Sequence, residues 1–251
     1  MNAQKGQYAQ VNGLNMYYEI HGEGFPLVLI HGGGSTIGSN FGHILPLLSR
    51  QHRVIAVEMQ AHGHTADIDR AYSFEQDADD VAELLRQLKI TKANVFGFSN
   101  GGTTTLQVAI RHPQLVNKLV VASANYRRDG MPPGFFEQMP NATIEQLPKE
   151  LADAFRAINP DPAALSAMFN RDKDRMVNFK DIPDSVIQRI VAPTLILNGD
   201  QDVVSSEHAV ALSCLLPNAR LAILPAGHGD YLAEDNALSS VVVSLVGHFL
   251  Q

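Results

Sequence analysis

The strongest constraint on the fold is a rhythm. Six short apolar runs (27–30, 54–58, 94–98, 118–123, 194–198 and 220–224) are separated by longer stretches of helical periodicity. The runs do not alternate apolar with polar residues. Such continuity is expected of strands covered on both faces, the condition of a parallel sheet flanked by helices. In residues 74–89, Ala78, Val81, Leu84, Leu85 and Leu88 recur at three- and four-residue steps and mark one apolar helix face. Further helices are expected at 101–111, 206–215 and 237–249. An Asn12-Gly13 turn joins 8–11 to 15–20 as a hairpin ahead of the first run. The alternation predicts an α/β fold: a doubly wound, mostly parallel sheet of about eight strands with right-handed crossovers.

One segment breaks the alternation. Between 124 and 192 there are only helical stretches, such as 144–158 and 162–169, opened by Gly130-Met131-Pro132-Pro133-Gly134. It reads as a helical cap, residues 129–183, inserted over the carboxyl ends of the strands, with 1–128 and 184–251 forming the core. The cap holds four of the seven methionines and five of the eleven phenylalanines. That density suits both the core of a small helical unit and a flexible apolar wall for a substrate. Phe135, Phe136, Met139, Met168 and Phe169 are the expected pocket lining.

Composition narrows the function classes. The 251 residues are 45% apolar and carry one cysteine, so a large core forms without an internal disulfide. Cys214, in an apolar helical stretch, is expected to be a buried structural thiol. A net charge of −7 lacks the basic balance of a nucleic-acid partner. No run approaches the roughly 20 apolar residues of a membrane span, and residues 1–10 have no apolar signal core. The expectation is a cytoplasmic protein, monomer or homodimer, acting on a small molecule.

The chemistry concentrates at Val95-Phe96-Gly97-Phe98-Ser99-Asn100-Gly101-Gly102. A Gly-x-Ser-x-Gly run that ends an apolar strand and opens a helix presents its serine on a strained turn, beside free helical N–H groups. Ser99 is therefore the candidate nucleophile, and the backbone N–H of Asn100 a candidate oxyanion donor. A base and an orienting acid should come from other loops at the carboxyl ends of strands. Two such loops carry them: Gly199-Asp200-Gln201-Asp202 and Pro225-Ala226-Gly227-His228-Gly229-Asp230. His228, flanked by glycines, is the candidate base, and Asp202 or Asp200 the acid. Asp230 is expected at the site mouth or capping the last helix. His31-Gly32-Gly33-Gly34 after the first run supplies a second oxyanion donor, Gly33 first and Gly34 next. His31 is expected to brace that loop. His62 and His64 either line the pocket edge or, with Asp67 and Asp69, mimic metal ligands; no metal site and no cofactor is expected.

With these pieces in the chain order Ser99, Asp202, His228, residues 8–251 resemble the α/β-hydrolase superfamily. The family's Gly-x-x-Asp pattern fits Gly199 to Asp202 and favours Asp202 over Asp200. Val54 to Glu58 followed by Ala61-His62-Gly63-His64-Thr65 resembles the family's stretch after the fourth strand, with Glu58 in place of the usual Asp and no arginine. The closest resemblance is to small serine esterases and lactonases with a helical cap. It implies hydrolysis of a small or medium apolar or aryl carboxylic ester through an acyl-enzyme. The alternatives are a lactonase, a carbon–carbon bond hydrolase, or a small-molecule receptor with a vestigial triad.

Overall fold

The computed structural model describes residues 6–233 and 237–251. Among them eight strands run as β1 (Gln7–Val11), β2 (Leu14–His21), β3 (Phe25–Ile30), β4 (His52–Val57), β5 (Ala93–Phe98), β6 (Val116–Ala122), β7 (Thr194–Gly199) and β8 (Ala219–Leu224). The helices used below are α1 (Ile37–Phe41), α2 (Leu45–Leu48), α3 (Phe74–Gln87), α4 (Asn100–Arg111), α5 (Phe135–Gln138), α6 (Lys149–Ile158), α7 (Pro162–Val177), α8 (Asp184–Ile187), α9 (Ser206–Leu215) and α10 (Leu238–Leu250). The strands form one sheet in the order β1-β2-β4-β3-β5-β6-β7-β8. Strands β3 to β8 are mutually parallel, while β2 runs antiparallel to both β1 and β4. Asn12 and Gly13, both at positive φ, make the tight turn between β1 and β2.

The continuous apolar runs are explained by helices on both faces. Successive side chains of a strand point to opposite sides. Val28 and Ile30 of β3 pack with Val81 and Leu85 of α3 and Leu106 of α4, and α9 covers the same face through Leu212. Leu27 and Leu29 pack on the other face with Phe41 of α1, Leu48 of α2 and Val246 of α10. Each such side chain, fully buried, contributes about 1.5–3 kcal/mol. Only β8, at the sheet edge, departs from the expected two-sided cover, with Ile223 exposed.

Helix α3 starts at Ser73, whose hydroxyl accepts the Gln76 N–H, and buries the expected Ala78, Val81, Leu84 and Leu85. Helix α4 approaches β5 so closely that a Cβ on Gly97 would lie 2.0 Å from the Gly101 carbonyl oxygen, and one on Gly101 would lie 2.1 Å from that of Ile30. The two glycines of the motif are thus required by backbone contact.

No strand occurs among residues 123–193. The helix expected at 144–158 is split. A 3-10 turn covers Ile144–Gln146, Leu147 is extended, and α6 begins after Pro148. A proline drives its predecessor out of the helical region. The helix expected at 162–169 instead continues to Val177, with Pro162 in its first turn and the Asp161 side chain capping Ala163 N–H.

One expectation fails here. Cys214 is exposed. On α9 the residues facing the sheet are His208, Ala209 and Leu212, and Cys214 lies about 200° around the helix from Leu212. Asp230 is exposed and does not cap α10, which starts after Ala237. Its carboxylate accepts the Gly227 N–H at 2.8 Å and closes the loop that carries His228.

Candidate active site

The carboxyl ends of β5, β7 and β8 bring Ser99, Asp202 and His228 into one hydrogen-bonded line. Ser99, between β5 and α4, has φ 54° and ψ −122°. Such left-handed backbone is strained for a residue with a Cβ, and it is held by Ser99 N–H donating to Ala122 O at 2.8 Å while Ser99 O accepts from Gly102 and Thr103. His228 Nε2 lies 3.0 Å from Ser99 Oγ. Its Nδ1 lies 2.6 Å from Asp202 Oδ1. The ring leans on Phe98, centroids 4.8 Å apart. Gly229 at φ 84° lets the chain pass so near that a Cβ there would stand 2.7 Å from the Phe98 ring.

The Asp202 side chain is wholly buried. Burial pushes its carboxyl upward, but the hydrogen bond and charge of His228, then the Ser123 hydroxyl and the Val204 N–H, outweigh this and hold it below the usual carboxylate range. Asp200 does something else. Its Oδ1 accepts the Ala226 N–H at 3.0 Å, tying the β7 loop to the β8 loop.

Sequence reasoning missed Ser123. Its Oγ donates to Asp202 Oδ2 at 2.5 Å and lies 2.6 Å from the hydroxyl of Tyr231. Because the Ser123 proton goes to the carboxylate, Tyr231 must donate to Ser123. Ser123 has φ 49° and is buried. The available signal was a polar residue ending an apolar strand next to the strand that carries Ser99.

The Gly33 and Asn100 N–H groups find no protein acceptor among the described residues. Asn100 is the first residue of α4, where the backbone N–H is unpaired by construction. The Gly34 N–H, by contrast, is taken by Asp172 Oδ2 at 2.6 Å. His31 braces the loop as a neutral ring. Its Nδ1 donates to Gly32 O at 2.7 Å and its Nε2 accepts the Met59 N–H at 3.1 Å. Burial pushes its pKa down to about 3.

His62 and His64 do not line the pocket. His62 is fully buried, with Nε2 3.0 Å from Asp172 Oδ2 and Nδ1 2.9 Å from Gln60 O. His64 stacks on Tyr17 and bonds Glu58 Oε2 at 2.8 Å. Glu58 also accepts the N–H groups of His64 and Ile37, so the glutamate supports this loop without an arginine. Asp67 is occupied by Gln60 and Arg171.

Above Ser99 a cavity of about 480 Å³ opens beneath the helical insertion. Phe135, Met139, Met168 and Phe169 line it as expected, joined by Met131 and Met176. Phe136 does not. It is buried behind the wall, stacked on Phe179 at 5.7 Å, because adjacent residues on the short helix α5 point in different directions.

A family model described as the alpha/beta hydrolase fold matches residues 26–165. The human serine hydrolase BPHL is 28% identical over 253 aligned residues, covering 91% of this chain and 83% of that protein. A 2-hydroxymuconate semialdehyde hydrolase of a Pseudomonas species is 28% identical over 252, covering 91% and 88%. The solved enol-lactonase of Burkholderia xenovorans superposes with TM-score 0.76 at 23% identity, covering 97% of this chain and 99% of that one, and shares the fold.

Proposed function

Because this chain belongs to the α/β-hydrolase fold family, we propose that it is a serine hydrolase that cleaves carboxylic esters through an acyl-enzyme on Ser99. The observation that carries the reading is the unbroken line from Ser99 Oγ through His228 to the buried Asp202 carboxylate, 3.0 and 2.6 Å long. In this reading His228 takes the Ser99 proton as the hydroxyl oxygen attacks the carbonyl carbon. Asp202 holds the ring in the tautomer with Nδ1 protonated and stabilises the imidazolium. The tetrahedral oxyanion accepts from the Gly33 and Asn100 N–H groups, and one such donor contributes about 3–4 kcal/mol to the transition state. His228 then protonates the leaving alcohol, and water repeats the sequence on the acyl-enzyme.

The cavity supports a small or medium apolar or aryl ester. Its wall includes four methionines and two phenylalanines from the insertion, and its size suits one such molecule. A second reading, hydrolysis of a carbon–carbon bond next to a carbonyl, is favoured by the likeness to a semialdehyde hydrolase over nine-tenths of the chain. A panel of aryl esters, lactones and vinylogous diketones against wild type and Ser99→Ala separates these readings. Repeated ester turnover that vanishes in Ser99→Ala supports the proposal. A single slow acylation with a stable adduct supports a receptor instead.

A further inference from the structure

We infer that Asp172, on helix α7 of the insertion, is a positioning residue for the oxyanion loop, so that the cap's docking sets the loop's catalytic geometry. This deepens the acyl-transfer reading and rests on it. Asp172 lies 138 positions beyond Gly34, yet its Oδ2 accepts the Gly34 N–H at 2.6 Å. The same oxygen faces His62 Nε2 at 3.0 Å, and Oδ1 accepts from Arg175 at 2.5 Å. Arg175 in turn donates to Asp77 Oδ2 of α3 at 2.5 Å. Both oxygens of Asp172 are therefore turned to the protein, although the residue borders the substrate cavity. Its hydrogen bond to Gly34 and its ion pairs tie its charge to the loop and to α7.

His62 supplies the counter-charge. Its Nδ1 faces Gln60 O at 2.9 Å, and its Nε2 lies nearer to Asp172 Oδ2, at 3.0 Å, than to the Gly34 N–H, at 3.3 Å, so an imidazolium can donate to both acceptors. Burial lowers the His62 pKa, but the Asp172 carboxylate outweighs it and raises the pKa above the usual value.

The loop needs this hold. Gly32, Gly33 and Gly34 have no side chains to pin them, and glycines permit a flip of the Gly33–Gly34 peptide at little cost. A flip would turn the Gly33 carbonyl toward Asp172, oxygen against carboxylate, so the ion network selects the present orientation. The loop is also confined sterically. A Cβ on Gly33 would stand 2.4 Å from Asn100 Nδ2 and 3.0 Å from Asp172 Oδ2. Gly33 Cα is thus set between the start of α4 and the side of α7.

The test uses Asp172→Asn, which keeps the volume, and Asp172→Ala. Asp174→Asn, exposed on the same helix, is the unchanged control. Active sites are counted with a fluorophosphonate, turnover is read with p-nitrophenyl acetate, and phenylboronic acid reports affinity for a tetrahedral adduct. Removing one oxyanion donor outright costs about 10²–10³ in kcat, so loosening its loop should cost about 10–100-fold. Both acyl-transfer steps use the same oxyanion site and slow together, so KM should stay within about threefold. The boronate Ki should rise by the same factor as kcat per labelled site falls. A purely structural role would lower the melting temperature and the labelled fraction while leaving kcat per labelled site intact. That outcome overturns the inference, as does a wild-type kcat in Asp172→Asn. Failure of the underlying reading would be visible in the wild type, which would neither label nor turn over ester, and would remove the inference with it.

Discussion

Ser123→Ala is the most informative perturbation outside the three central residues. It deletes a hydroxyl that donates to a buried carboxylate at 2.5 Å and accepts from a buried phenol at 2.6 Å. A hydrogen bond to a charged group contributes about 1.5–3 kcal/mol net, and stranding a buried donor costs about 1–3 kcal/mol. Tyr231 is fully buried, so its hydroxyl has no solvent to turn to. The expected loss is about 3–5 kcal/mol at pH 7, measured by urea unfolding. Adding Tyr231→Phe removes the stranded donor, so the double variant should regain about 1–3 kcal/mol over Ser123→Ala. The Asp202 share has a sign that pH can read. Its folded carboxyl lies below the ordinary value, so its stabilisation is present above the unfolded pKa and lost as pH falls through the folded one. The Tyr231 share does not change over that range. Catalytically, Asp202 keeps His228 and the Val204 N–H, so kcat/KM for an aryl ester should fall about tenfold, some 1.4 kcal/mol. Strict additivity of the two substitutions, or a loss under about 1 kcal/mol, would refute the chain from Tyr231 through Ser123 to Asp202.

Other outcomes test neighbouring parts. Asp202→Asn should lower kcat by about 10⁴, the effect expected when the base loses its tautomer. Asp200→Asn should leave kcat within a few-fold, since Asp200 bonds the Ala226 N–H and not His228; steady-state kinetics on the pair decide between the two acids. Gly97→Ala should abolish folding or cost several kcal/mol, because the new methyl would meet the Gly101 carbonyl at 2.0 Å; circular dichroism melts check this. His208 is buried as a neutral ring that accepts the Tyr126 N–H, and burial lowers its pKa to about 4. Stability should therefore fall as pH drops from about 6.5 toward 4, where the unfolded chain binds the proton and the folded one resists it. Unfolding free energies across that range should show a shallower slope in His208→Gln, and an unchanged slope would contradict the burial argument.

The sheet was legible because its signals are local. Two-sided burial writes continuous apolar runs, and the Gly97 and Gly101 positions mark where strand and helix backbones touch. The split at Pro148 and the continuation of α7 were less legible, since helical periodicity does not register where one residue leaves the helical region. Cys214 and Phe136 were misplaced for a related reason. Apolar character says that a residue can be buried, while the angle around the helix says which side it faces.

By itself the sequence determined the α/β architecture and the loops that carry Ser99, Asp202 and His228, because strand order and turn glycines are encoded within a few residues of each element. The tertiary structure alone decided that Gly34 spends its N–H on Asp172 while Gly33 keeps one free, that Asp200 binds backbone while Asp202 meets His228, and that Ser123 and Tyr231 stand behind the acid. Those choices depend on side chains from elements up to 138 positions apart meeting within 3 Å. No local period carries that information; it arises when helix α7 and the loops after β6, β7 and β8 pack over the same end of the sheet.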